Sequence, residues 1–199
     1  MTFVVFEGGE GVGKSTQVAR CADWARASGR EVVVTYEPGD TKTGAAIREL
    51  LLHADGPLDA HAELMLMLAD RAQHVAEVIE PALSRGAVVI SDRYTPSTLA
   101  YQGVARGLGV AFVEELSAWA AGGLAPDAVV VLDLPDAEAE ARVAAARDRV
   151  ERAGDLFHRQ VRAAYRTLGT ERGWLLIDAS GSFDDVSARV RAALAPLLP

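Results

Sequence analysis

Gly8–Gly9–Glu10–Gly11–Val12–Gly13–Lys14–Ser15–Thr16 matches the spacing G-x-x-x-x-G-K-[ST] from Gly8 to Ser15. Its surroundings matter as much as its letters. Phe3–Val4–Val5–Phe6 precedes it, a short apolar run that reads as a buried strand. Val18, Ala19, Ala22 and Trp24–Ala25 follow at roughly helical spacing. Strand, glycine loop and helix form the setting this motif needs. Glycines allow the backbone to bend until several N–H groups converge on one anion, and the helix start adds partial positive charge behind them. Residues 8 to 16 therefore read as a triphosphate cradle. Lys14 is expected to reach the β- and γ-phosphates and Ser15 to ligate Mg²⁺. The competing reading is a glycine turn with no ligand.

Working outward, the apolar runs Glu31–Tyr36, Ala87–Ser91, Ala128–Leu134 and Trp174–Asp178 read as further strands. Helical stripes lie between them, at Thr43–His53, Ala60–Leu83, Ser97–Val104, Ala111–Ala121, Asp155–Leu168 and Phe183–Leu194, with another helix starting at Pro135–Asp136. Pro81 predicts a kink in the long second stripe. Strands that are almost wholly apolar and alternate with helices predict an α/β fold, a five-stranded parallel sheet covered on both faces. Ligands of such sheets gather outside the carboxyl ends of the strands. The glycine loop, Glu37, Asp92–Arg93 and Asp178–Ala179 all fall there. No internal repeat or linker divides the 199 residues, so one domain is expected.

The formal net charge of −8 argues against non-specific nucleic-acid binding. Cys21, the single cysteine, excludes an intrachain disulfide and is read as core. No apolar run reaches membrane-spanning length and no signal-like leader opens the chain, so a cytoplasmic location with no membrane partner is expected. His53, His61, His74 and His158 show no metal spacing, and Trp119 and Trp174 read as packing residues. The apolar surplus Leu64–Met65–Leu66–Met67–Leu68 suggests a homodimer face.

A P-loop alone specifies a nucleotide, not a reaction. No N-K-x-D base-reading motif is found, and the chain is short for a large ATPase. A further set of segments narrows the choice. Phe6–Glu7 runs into the glycine loop, and Glu37–Pro38–Gly39 stands with Ile47–Arg48–Glu49–Leu50–Leu51. Ala69–Asp70–Arg71–Ala72–Gln73–His74 follows, then Asp92–Arg93–Tyr94 with Ser97–Thr98–Leu99–Ala100–Tyr101–Gln102–Gly103. Asp148–Arg149–Val150–Glu151, Phe157 and Val161–Arg162 complete it. In these segments the chain resembles bacterial thymidylate kinases along nearly its whole length.

The resemblance implies a P-loop kinase fold with a short arginine-bearing lid at about 142–152, and transfer of the γ-phosphoryl of ATP to dTMP with Mg²⁺. Residue by residue, it implies that Arg71 holds the dTMP phosphate and that Arg93 lies near both phosphates. Asp92 would organise Mg²⁺ with Ser15. Glu10 would accept from the sugar 3′-hydroxyl, and Glu37 and Pro38 would flank the acceptor. Tyr101 and Gln102 would close on the deoxyribose and base, and Thr98 would stand where it can hydrogen-bond thymine. Met67 occupies the place where the family often stacks a Phe. Gly11 supplies no charge within the loop, so the lid cation would be Arg142, Arg147 or Arg149, with Arg147 and Arg149 favoured. Structural alternatives remain for each: Arg71 as a surface arginine, Asp92 as an ion-pair partner of Arg93, Tyr101 as core and the lid arginines as a solvated face. Met67, and Asp40 beside the Glu-Pro-Gly turn, leave room for a different monophosphate. A regulatory ATP-binding module is the remaining alternative.

Overall fold

The computed structural model describes residues 1–53, 56–142 and 154–198, without the side chains of 140–142. Five parallel strands, β1 (Thr2–Glu7), β2 (Val32–Tyr36), β3 (Val88–Asp92), β4 (Ala128–Asp133) and β5 (Leu175–Asp178), form one sheet in the order β2-β3-β1-β4-β5. The apolar runs dictate this. β1 is buried at every position, as a central strand covered on both faces must be. Val4, Val5 and Phe6 have no exposed surface, each stabilising the fold by roughly 1.5–3 kcal/mol.

The helices α1 (Lys14–Ala27), α2 (Lys42–His53), α3 (Ala60–His74), α4 (Glu80–Ser84), α5 (Thr95–Thr98), α6 (Val110–Ala120), α7 (Asp136–Arg142), α8 (Asp155–Arg172) and α9 (Phe183–Leu194) connect and cover the strands. One apolar layer joins Val18, Cys21 and Ala22 of α1 to Val186, Val190 and Leu194 of α9 across Val4, Phe6, Val88 and Ile90. A second places Phe157, Val161, Tyr165 and Leu168 of α8 with Leu64, Leu68, Leu99 and Tyr101, on Val129 and Val131. Cys21 is core, as read, and burial pushes its thiol up to about 12.

The expected helix 60–83 contains a π-helical turn at Val75–Ile79 just ahead of Pro81, which sits in the first turn of α4. A proline there has no N–H to give the preceding turn, and the wider turn accommodates the mismatch. A second π-helical turn, Leu99–Ala105, extends α5. One packing expectation fails: Trp119 is 80% exposed. Val113, Ser117 and Ala120 form the inward stripe of α6, and position 119 lies off it. Trp174 does pack against the second layer.

The register fixes the site. Phe6 and Tyr36 both lie level with Asp92, so Glu7, Glu37 and Arg93 leave their strands side by side. β1 stands between β3 and β4, and the chain fills one side of it before crossing to the other. That leaves a crevice outside its carboxyl end.

Candidate active site at the carboxyl edge of the sheet

The loop after β1 is built around glycines for a reason visible at Gly8. It adopts φ 134°, and a Cβ there would stand 2.4 Å from the Leu132 carbonyl oxygen of β4. Gly13 (φ 89°) then turns the chain into α1, whose first turn carries no acid and whose start has no side-chain cap. Its opening N–H groups are thus available to an anion. The Lys14 ammonium folds back over the loop, donating to the carbonyls of Gly9 (2.8 Å) and Gly8 (3.1 Å). Burial, reinforced by Arg93, pushes Lys14 down to about 8. An arriving phosphate would reverse that pressure. Ser15 Oγ donates to Asp92 Oδ2 at 3.0 Å. Two hard oxygen donors thus meet beside the loop, a donor set that suits Mg²⁺.

Among the described residues Asp92 makes no ion pair with Arg93, so the expected structural alternative for Asp92 is not formed. Arg93 turns the other way. It is the one described non-glycine residue with positive φ (76°), in the left-handed region. Its Nη1 donates to Ser97 Oγ (3.0 Å), the Tyr165 hydroxyl (3.3 Å) and the Gly8 carbonyl (3.4 Å), and its Nη2 to the Tyr101 hydroxyl (3.3 Å). Tyr101 also receives the guanidinium over its ring and packs edge-on against Phe157. Beneath this group lies Glu7, which has no exposed surface. Burial pushes its carboxyl above the ordinary range, opposed by Arg93 and by hydrogen bonds from Ser97, Tyr165 and the Tyr94 N–H. Burial and Glu7 in turn push the Tyr165 hydroxyl well above its ordinary value, so it keeps its proton.

On the other side of the crevice is a buried charge cluster. Arg71 has no exposed surface. It donates to Glu37 Oε2 from Nε (3.0 Å) and Nη2 (2.8 Å), and Nη2 also donates to Thr98 Oγ1 (2.9 Å). Its Nη1 is buried with no partner among the described residues. His74 Nδ1 meets Glu37 Oε1 at 2.9 Å, and its Nε2 meets Thr35 Oγ1. The Thr35 hydroxyl donates to Asp40, which is thereby tied to β2. The Glu37–Pro38 peptide is cis, and Arg48 donates to the Pro38 carbonyl at 2.6 Å. Gln102 Nε2 donates to Glu63 (2.8 Å), while its Oε1 is buried without a partner.

Two expected site residues make other contacts. Met67 is half-buried and packs with Leu66 against Ile47, Leu51 and Leu52. Glu10 lies 3.8 Å from His158 Nδ1. Arg147 and Arg149 fall outside the described residues, and the side chain of Arg142 is likewise not described. The described residues contain no cluster of His, Cys, Asp or Glu able to hold a metal by themselves, and no helix long and apolar enough to cross a membrane.

Asp70, next to Arg71, accepts from the Gly39 N–H at 3.0 Å. Burial, then the Glu37 charge, push it up to about 6 from an ordinary 3.8. The unfolded chain releases this proton first, so Asp70 costs stability as pH rises from about 4 to about 6 and beyond. Asp70→Asn keeps the acceptor for Gly39 and removes the charge. It is expected to stabilise the protein at pH 8 by on the order of 1–2 kcal/mol. The gain should vanish below about pH 4, as read from denaturant midpoints across that range.

Comparison with known proteins agrees with this geometry. The family model described as thymidylate kinase matches residues 6–190. A thymidylate kinase of Leifsonia xyli is 49% identical over 196 residues, covering 96% of this chain and 93% of the relative. One from Synechococcus is 46% identical, covering 99% and 96%, and one from Cutibacterium acnes 44%, covering 98% and 97%. Both the matched span and these identities over nearly whole chains place the protein in the thymidylate kinase family.

Proposed function

We propose that this chain moves the γ-phosphoryl group of ATP to dTMP, giving dTDP and ADP. The carrying observation is the Arg71 Nη1 donor, buried without a partner across the crevice from the Lys14 loop. A buried donor left unmade costs about 1–3 kcal/mol, a deficit that a bound phosphate oxygen would remove. Glu37 and Thr98 take up Nε and Nη2 of the guanidinium and leave Nη1 for the acceptor.

In this reading the loop amides and Lys14 hold the ATP phosphates, and Ser15 and Asp92 would hold Mg²⁺. When bound, the ion supplies charge neutralisation at the triphosphate. Arg93 lies between the two phosphates, which repel one another and need cations in the gap. A dTMP phosphate oxygen forms the new bond to the γ-phosphorus, and the bond to the bridging oxygen of ADP breaks. The work is positioning and charge stabilisation. Tyr101, Gln102, Thr98, Pro38 and Met67 would shape the sugar and base site, with Glu10 on the 3′-hydroxyl. Arg147 and Arg149 would bring the lid cation. Met65 on α3 (68% exposed) and Leu50 on α2 (54%) offer apolar surface for a homodimer. A cytoplasmic location suits the substrates.

ADP release with ATP–Mg²⁺ and dTMP, dUMP, CMP, UMP, AMP or GMP tests the assignment. Preference for dTMP by at least about tenfold in kcat/KM is the expected result. Preference for any other acceptor rejects the substrate, and ATP binding without transfer to any of them rejects the kinase.

A further inference from the structure

We infer that Glu7 is a positioning residue, one that holds the Arg93 guanidinium in place through the hydroxyls of Ser97 and Tyr165. The inference rests on the role proposed above for Arg93. Glu7 ends β1 immediately before the phosphate loop, yet its side chain turns beneath the Arg93 turn rather than into the loop. Oε1 accepts from the N–H groups of Tyr94 (2.9 Å) and Ser97 (3.2 Å). Oε2 accepts from Ser97 Oγ (2.6 Å) and the Tyr165 hydroxyl (2.8 Å). In its charged form the carboxylate thus has donors on both oxygens.

Each hydroxyl owns a single hydrogen. With both hydrogens directed at Glu7, the two oxygens, 2.9 Å apart, present lone pairs to Arg93 Nη1 at 3.0 and 3.3 Å. Glu7 therefore acts as the counter-charge of Arg93 at one remove. Among the described residues it makes no direct ion pair with the guanidinium, whose Nε carries no bond there. A direct pair would take up donors that a phosphate needs. Glu7 also holds the Tyr94 and Ser97 N–H groups, while the Phe6 carbonyl holds the Arg93 N–H at 2.9 Å. These bonds fix a turn whose arginine sits in left-handed backbone geometry. A carboxylate that merely capped the short helix after Tyr94 would not need the two hydroxyls, one of them from α8.

Glu7→Gln discriminates. It preserves volume and one oxygen for the backbone donors but puts an amide N–H₂ against the two hydroxyls. Their hydrogens must then turn toward Arg93, reversing the polarity it meets. With dTMP and ATP–Mg²⁺, kcat is expected to fall about 10²-fold, the scale of a small misplacement of a catalytic group. In an Arg93→Ala background the same change should alter kcat by less than about threefold, because the effect runs through Arg93. An equal loss in both backgrounds overturns the inference. Should Glu7→Gln not fold, Tyr165→Phe carries the same cycle, with an expected loss of about tenfold. A second readout needs no substrate. In ¹⁵N-labelled protein the hydrogen-bonded Arg93 Nη–H resonances should be resolved and slow to exchange, and should broaden or vanish in Tyr165→Phe and Glu7→Gln. No change in either variant also overturns the inference. If the wild type phosphorylates no monophosphate, the proposed function fails and the resonances still decide the place of Glu7.

Discussion

Replacing Glu37 with alanine is expected to destabilise the protein by about 3–5 kcal/mol and to abolish saturable use of the acceptor nucleotide. Glu37 is the common partner of Arg71 and His74, and all three side chains are essentially out of contact with solvent. Removing the carboxylate leaves a guanidinium buried without its anion, and that penalty exceeds the net worth of the original pair. At roughly 2–4 °C per kcal/mol for a chain of this size, the melting temperature should drop by about 10 °C. Glu37→Gln separates the two effects. It retains an acceptor for Arg71, so it should lose less stability, yet still raise KM for dTMP because the guanidinium is less firmly held. Thermal melts with and without dTMP, alongside acceptor titrations, check both. An alanine variant that melts like the wild type would show that the cluster is hydrated and open rather than dry.

Lys14→Ala is expected to lower kcat by about 10²–10³-fold, the scale of deleting one preorganised donor from a charge-stabilising site. The free protein spends the ammonium on the Gly8 and Gly9 carbonyls, both part of the loop it would leave for phosphate. Those carbonyls lie at a crevice, where water can replace the lysine, so the fold should be little affected. Single-turnover rates at saturating ATP measure the loss. A variant that changed only KM for ATP would assign Lys14 to ground-state binding alone.

The fold was legible because its signals are local and redundant. All five strands are expected from apolar runs, and β1, the central one, is the most completely buried. The loop was legible because its chemistry is contiguous. What escaped sequence reading depends on distance. Glu7 and Tyr165 stand 158 residues apart, and nothing in either neighbourhood points to the other. Tyr165 lies on the inward stripe of α8, where an aromatic residue is unremarked core. His74 shows no metal spacing in sequence, and its partners are Glu37 and Thr35, far away in the chain. Asp40, which in sequence leaves room for a different monophosphate, accepts from the Thr35 hydroxyl. Trp119 reads as packing by type, since a large indole suggests interior, but its helical phase points outward. The lid expected at about 142–152 lies, beyond the backbone of residue 142, outside what the structure describes.

One carbonyl links the two halves of the crevice. Gly8 O accepts from Lys14 at 3.1 Å and from Arg93 at 3.4 Å, and its glycine stands so close to the β4 backbone that no side chain fits there. On the roles proposed above, a triphosphate that draws the ammonium away would hand that oxygen wholly to the guanidinium. Occupancy of one nucleotide seat would then be communicated to the other through a single shared acceptor, with no large rearrangement of the chain.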